Sequence, residues 1–179
     1  MNDKPELLLH CCCAPCASYV IDHLIPEYNI SLLFYNPNIE PSGEYEKRKH
    51  ELLKLMKRAS LSSKVKLLEC EYDNAAFANA ALSLRDEPEG GKRCSVCIEL
   101  RLKVTAARAA AGEYDIFTTT LSVSPHKNAD LINEIGSHLS DEYGIGYLND
   151  DFKKHDGFKR SIELSKQYDL YRQNYCGCR

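Results

Sequence analysis

Along the chain, short apolar runs alternate with longer stretches in which apolar residues recur every three or four positions. Leu7-Leu8-Leu9 predicts a first strand that breaks off in His10-Cys11-Cys12-Cys13-Ala14-Pro15-Cys16, with a helix following over roughly Ala14 to Leu24. Ile30-Ser31-Leu32-Leu33-Phe34-Tyr35 predicts a second strand. It runs into Asn36-Pro37-Asn38-Ile39-Glu40-Pro41, whose two prolines impose an irregular loop. From Ser42 a capped, charged helix is expected to about Ala59, with Leu52, Leu53 and Met56 on one face. Lys64-Val65-Lys66-Leu67-Leu68-Glu69 alternates cleanly as a third strand, and Asp73 is placed to cap the helix after it. A turn-rich loop from Glu87 to Arg93 leads through Cys94-Ser95-Val96-Cys97 into a long helix to about Ala111. Tyr114 to Thr120 forms a fourth strand, Leu121 to Asn128 a loop, and the helix after it ends near Tyr143. Ile145 to Leu148 supplies a fifth strand and about Phe158 to Ser165 a last helix.

Strands alternating with helices predict parallel βαβ units. The expectation is a single α/β domain over residues 1–179: a parallel five-stranded sheet with helices on both faces, and no repeat, low-complexity run or linker dividing it. In such sheets ligands collect beyond the carboxyl ends of the strands. Four thiols at the end of the first strand therefore mark a site.

A chain of 179 residues can bury a core without covalent staples, so its nine cysteines are not needed for stability. The charged start Met1-Asn2-Asp3-Lys4 leads into no apolar h-region and no run approaches a membrane span, which predicts a cytoplasmic protein without membrane contact. Thiols in that compartment stay reduced unless they are redox-catalytic or bind metal. The net charge of -3 is uneven: residues 152–179 carry seven Lys or Arg against three acids, leaving -7 for the remainder. Phe152, Phe158, Tyr168, Tyr171 and Tyr175 interleave with these cations. That mixture suits a nucleic-acid surface and equally a solvated helix face with aromatics in the core.

Cys94 and Cys97 open a helix, where free amides and the dipole favour thiolates. Cys12 and Cys13 sit at the other edge position and share a metal only if the strand's regularity breaks there, as Pro15 allows. Two and two match an iron–sulfur cubane or a tetrahedral zinc. Cys11 and Cys70 are assigned to packing. Cys13-Ala14-Pro15-Cys16 has the spacing of a thiol redox motif. Cys176-Gly177-Cys178 cannot form a relaxed structural bridge, so it is suited to exchanging electrons or holding metal. His10, His126, Asp150, Asp151 and Tyr35 are candidate proton donors.

These segments, together with Glu44-Tyr45-Glu46-Lys47-Arg48, Phe117-Thr118-Thr119-Thr120-Leu121, Ser124-Pro125-His126-Lys127-Asn128, Asp151-Phe152-Lys153-Lys154 and Tyr171-Arg172-Gln173-Asn174-Tyr175, resemble the QueH family of epoxyqueuosine reductases over almost the whole chain. The resemblance implies reduction of the epoxide of epoxyqueuosine, at the wobble position of tRNA, to the cyclopentene of queuosine. It implies a fold like the adenine-nucleotide α-hydrolases (HUP-like), a [4Fe-4S] cluster on Cys12, Cys13, Cys94 and Cys97, and a redox-active pair, Cys176 and Cys178. A further iron would lie near that pair. Cys11 departs from the family, which usually has a non-cysteine there. No flavin, cobalamin or ATP is expected. An external electron donor is required, and the tRNA backbone would lie on Lys153, Lys154, Lys159, Arg160 and Arg172. Two other readings are a thiol–disulfide oxidoreductase using Cys13 and Cys16, and a zinc-containing tRNA-binding module without catalysis.

Overall fold

A computed structural model describes residues 4–178; Met1-Asn2-Asp3 and Arg179, both counted above, lie outside the described residues. Strands β1 (Glu6–His10), β2 (Asn29–Leu33), β3 (Val65–Leu68), β4 (Ile116–Thr119) and β5 (Gly146–Tyr147) form one parallel sheet in the order β3-β2-β1-β4-β5. Between them run α1 (Ala14–Leu24), α2 (Ser42–Arg58), α3 (Asn74–Ala80), α4 (Lys92–Ala111) and α5 (Ala129–Tyr143), and α6 (Gly157–Gln167) closes the order. This is the expected α/β architecture. No helix among the described residues is long and apolar enough to cross a membrane.

The two-residue period of the strands divides the interior into two cores. Leu7, Leu9, Ile30 and Leu32 pack with Val20 and Ile21 of α1 and Leu52 and Leu55 of α2. Leu8, Leu33 and Phe117 pack on the opposite face with Leu102 of α4 and Ile132 and Leu139 of α5. Both faces are covered, so Leu7-Leu8-Leu9 is apolar throughout rather than alternating. Chain connections leave β1 toward β2 and return on its other side at β4. That reversal opens a crevice at their carboxyl ends.

Several boundaries differ from the sequence expectation. Ser42 does not cap α2: the residue before the helix is Pro41, and no side-chain cap forms. Leu53 is 47% exposed, and the buried stripe of α2 is Tyr45, Arg48, Leu52, Leu55 and Met56. A residue directly after Leu52 turns about 100° around the helix, away from the sheet. Thr120, read as the end of the fourth strand, and residues 121–123, read as loop, form a 3₁₀ turn, and β5 is two residues long. Asp73 does cap α3, its carboxylate accepting from Ala76 N at 3.1 Å. Of the C-terminal aromatics, Phe152 is buried and Phe158 and Tyr168 pack against the first core, so much of that segment is structural.

A thiol-lined candidate active site

Regular pairing of β1 stops at His10, and Cys13 takes an extended conformation (φ −167°, ψ 162°) ahead of α1. This break lets adjacent sulfurs approach: Cys12 and Cys13 lie 3.8 Å apart. Cys16, in the first turn of α1, completes a group in which the three sulfurs lie within 4.8 Å of one another. Cys11 is fully buried, its thiol against Leu9 O, and is a packing residue.

Thr120 holds this turn from β4's side. Its hydroxyl oxygen accepts from Cys12 N at 3.0 Å, and its hydroxyl donates to the Cys12 sulfur at 3.2 Å. Hydrogen bonds from Cys13, Cys16 and Thr120 hold the Cys12 thiol well below its ordinary pKa despite burial. The bond to Cys12 pushes Cys13 up to about 12, and Cys16 rises for the same reason. Cys13 and Cys16 therefore do not stand apart as a pair: both are tied to Cys12 in one group of three sulfurs.

His10 is fully buried, with Nδ1 2.9 Å from Thr119 Oγ1 and Nε2 2.9 Å from Tyr35 O. The carbonyl can only accept, so Nε2 carries the proton and the ring is neutral. Burial, with the nearby Arg101 charge, lowers its pKa to about 4. No ring nitrogen is left for a substrate, and His10 braces β1, β4 and the loop after β2.

Arg101 lies one turn beyond Cys97 on α4, 3% exposed, donating to Cys97 O at 3.1 Å and to Asn36 Oδ1 at 3.4 Å. Burial opposes its charge, but the sulfurs of Cys97, Cys176, Cys12 and Cys178 outweigh it and keep the guanidinium ionised. Arg101 thus keeps a positive charge in the cavity that Cys12 and Cys176 also line.

The Cys176-Gly177-Cys178 turn is held from three sides. Arg48 donates to Cys176 O at 2.9 Å and Tyr175 O at 3.4 Å, Glu40 N donates to Gly177 O at 2.8 Å, and Arg93 donates to Cys178 O. Gly177 has φ +96°, and a Cβ there would meet Arg48 Nη2 at 3.0 Å. A hydrogen bond from Cys178, aided by Lys127 and Arg101, holds Cys176 near a pKa of about 5, while Cys178 is pushed up.

A cavity of about 410 Å³ joins these parts. Cys12, Cys13, Cys16 and Cys176 reach its lining, with Arg101 and Asn36 between them. Two further lining residues, Asn38 and Gln173, each keep a buried side-chain oxygen without a hydrogen-bond partner among the described residues. Such groups cost free energy unless a ligand or water completes them.

Other sequence candidates are less concentrated. Cys94 opens α4 and accepts from Gly90 N at 3.2 Å, while Cys97 packs with Phe77, Ala81 and Cys178. Neither joins the three-sulfur group. The helix end does not win at Cys97, where burial raises the pKa. His126 lines the cavity; Tyr35 and Asp150 do not, nor does Asp151, which pairs with Lys153 at 2.9 Å. Arg160 pairs with Glu163 at 3.2 Å, Lys154 and Lys159 are exposed away from the cavity, and Arg172 lines it. Arg48, Thr120, Asn38 and Gln173 escaped sequence reasoning. Arg101 had a signal, since Cys94, Cys97 and Arg101 share one helical stripe.

Fold and site together define a doubly wound α/β protein with a cysteine-rich centre at the carboxyl edge of its sheet. The family model for epoxyqueuosine reductase QueH matches residues 7–179, and the chain belongs to the QueH family. It is 40% identical over 177 residues to epoxyqueuosine reductase QueH of Streptococcus pyogenes serotype M1, covering 98% of this chain and 69% of that protein. The Staphylococcus epidermidis protein of the same name is 41% identical over 181 residues (99% and 76% covered) and that of Thermotoga maritima 37% over 172 residues (96% and 88%). Among solved structures, a predicted subunit of tRNA methyltransferase from Methanocaldococcus jannaschii superposes with a TM-score of 0.52 at 18% identity, covering 90% of this chain and 76% of that one. That likeness concerns the fold alone.

Proposed function

We propose that this chain is an epoxyqueuosine reductase acting in the cytoplasm on tRNA, removing the epoxide oxygen of epoxyqueuosine at the wobble position to leave the cyclopentene of queuosine. The single observation that carries the reading is that Cys12, Cys13, Cys16 and Cys176 line one cavity with the buried guanidinium of Arg101 at the sheet's carboxyl edge. Family membership supports the same reading.

Converting an epoxide into an alkene and water consumes two electrons and two protons. Oxidation of the Cys176–Cys178 dithiol to a disulfide releases those amounts, and an external donor then restores the dithiol. In this reading Cys12, Cys13, Cys94 and Cys97 hold a [4Fe-4S] cluster, with a further iron near Cys176 and Cys178. The donor set suits such a cluster in chemistry, being all sulfur, with Arg101 to offset the charge that several thiolates would bring into a buried place, and Cys94 and Cys97 would have to join the sulfurs grouped at the end of β1. When bound, these groups supply electrons singly and a Lewis acid for the epoxide oxygen.

The chain's own residues do the rest. Thr120 fixes the Cys12 sulfur, Arg101 keeps anionic sulfur stable, and the imidazole of His126 on the lining can hand a proton to the departing oxygen. A cavity of about 410 Å³ admits one nucleoside and not a folded loop, so the target nucleotide must be drawn out of its stack.

Iron, zinc and acid-labile sulfide should be measured on anaerobically purified protein, with nucleoside mass spectrometry of tRNA before and after incubation with a reductant. The reading expects iron with labile sulfide and conversion of epoxyqueuosine to queuosine. Zinc without labile sulfide would point to the non-catalytic module. A metal-free, colourless protein that only exchanges disulfides would point to the oxidoreductase.

A further inference from the structure

Given the reading above, in which one nucleotide of a tRNA loop enters the cavity, we infer that the cavity's mouth is a two-lipped nucleic-acid grip: His126 and Lys127 form one lip and Arg172 and Tyr175 the other. These residues, rather than Lys153 and Arg160, would carry the phosphate and stacking contacts nearest the reacting nucleotide. All four line the cavity; His126, Arg172 and Tyr175 are exposed and Lys127 is half-buried.

The cations of the mouth are available. Among the described residues neither Lys127 nor Arg172 has an ion-pair partner. Arg172 lies over the Phe158 ring at 5.4 Å and leans on the hydroxyls of Ser161 and Ser165 at 3.4 and 3.5 Å, contacts that orient the guanidinium without neutralising it. Lys153 and Arg160 are already engaged by Asp151 and Glu163, so a phosphate would have to displace a carboxylate. Among the described residues, Glu89 is the one acidic residue on the lining.

Tyr175 supplies the aromatic partner. It is 39% exposed, and the Arg48 guanidinium sits 5.1 Å from its ring, which holds the ring in place before any ligand arrives. Cys176 is the next residue, so a base stacked on Tyr175 has its neighbour beside the dithiol. Inside the mouth, the unpartnered oxygens of Asn38 and Gln173 call for a hydrogen-bond donor. A nucleoside carries such donors and an apolar guest does not. Cations at the rim, a fixed aromatic ring and polar walls make up the pattern by which single-stranded nucleic acid is held.

The test measures binding of tRNA carrying epoxyqueuosine to anaerobically purified protein over a range of salt. Each phosphate contact contributes roughly 0.7 to 1 to the slope of log K against log salt. Lys127→Gln and Arg172→Gln should each lower the slope by about that amount, while Lys153→Gln leaves it unchanged. Tyr175→Ala should weaken binding at least about fivefold, and Tyr175→Phe should not. Unchanged slopes in both cation variants, or wild-type affinity in Tyr175→Ala, would overturn the grip. Thermal unfolding of each variant separates these results from misfolding. The two readings fail separately: wild-type protein that shows these slopes but leaves the epoxide intact sinks the reductase assignment alone, and wild-type protein that reduces the epoxide while the variants keep their slopes sinks the grip alone.

Discussion

The guanidinium of Arg48 on α2 reaches the carbonyl of Cys176, 128 residues further along the chain, at 2.9 Å. The same side chain pairs with Glu44 at 2.7 Å, and the two side chains are 4% and 9% exposed. One buried ion pair therefore anchors the turn that carries both C-terminal thiols. Removing one partner of a buried pair strands the other charge and costs about 3 kcal/mol or more. Arg48→Met should lower stability by that amount in urea denaturation and speed alkylation of Cys176 and Cys178. Adding Glu44→Gln should recover part of the loss. Wild-type stability in the single variant would contradict the anchor.

His10 makes stability depend on pH. Its pKa is lowered from 6.5 to about 4 in the folded chain, so between those values the unfolded chain binds the proton more readily. The stabilisation is fully present above pH 6.5 and is lost as pH falls toward 4, amounting to on the order of 3 kcal/mol for this fully buried group. Denaturation of metal-free protein at pH 7 and pH 5 should show about half of that loss, and His10→Gln should flatten it. An equal slope in the two proteins would assign the pH dependence elsewhere.

Gly157 opens α6 where that helix meets α1, and a Cβ there would overlap Phe152 O and lie 2.6 Å from the Tyr19 ring. Backbone cannot yield as a flexible side chain can, so Gly157→Ala should destabilise by about 1–3 kcal/mol or more. Gly43, in the first turn of α2, has nothing within 4 Å of a built Cβ. Gly43→Ala should be neutral or stabilise by up to about 1 kcal/mol through the chain entropy it removes. Melting temperatures of the two variants should move in opposite directions or differ by several degrees.

The cysteines should divide by metal retention. Cys94→Ser and Cys97→Ser should each lose iron and labile sulfide, while Cys70→Ser, which alters a thiol outside the site, should keep both. Cys16→Ser should also keep them, because a hydroxyl still donates to the Cys12 sulfur as the Cys16 thiol does. Iron retained in Cys94→Ser and lost in Cys16→Ser would reassign the ligand set to the three sulfurs grouped at the end of β1.

Much of the fold was legible because burial on both faces of the sheet leaves apolar strands between amphipathic helices. Leu7-Leu8-Leu9, the long helix from the Cys94–Cys97 pair to about Ala111, and the Asp73 cap all follow from local spacing. The misplaced Leu53 shows the limit of counting apolar residues, since a one-residue error turns the side chain to water. Part of the site was legible too, because four thiols within six residues at the end of a strand are more than packing requires, and only Cys11 among them is spent in the core. Arg48 was hidden: a basic residue three turns from the end of a charged helix looks like solvated surface until its partners are known.

Local order along the chain determined which segments become strand or helix, that a cluster of thiols sits at the carboxyl edge of β1, and that Cys176 and Cys178 are separated by a single glycine. Tertiary structure alone decided that Cys16 stands with Cys12 and Cys13, that Arg101 lies among sulfurs from three separate segments, and that His10 is spent on bracing. Spacing along a chain predicts periodic neighbours. The partner a buried charge or thiol finds across 50 to 130 positions depends on how whole elements pack, and only the closed core specifies that.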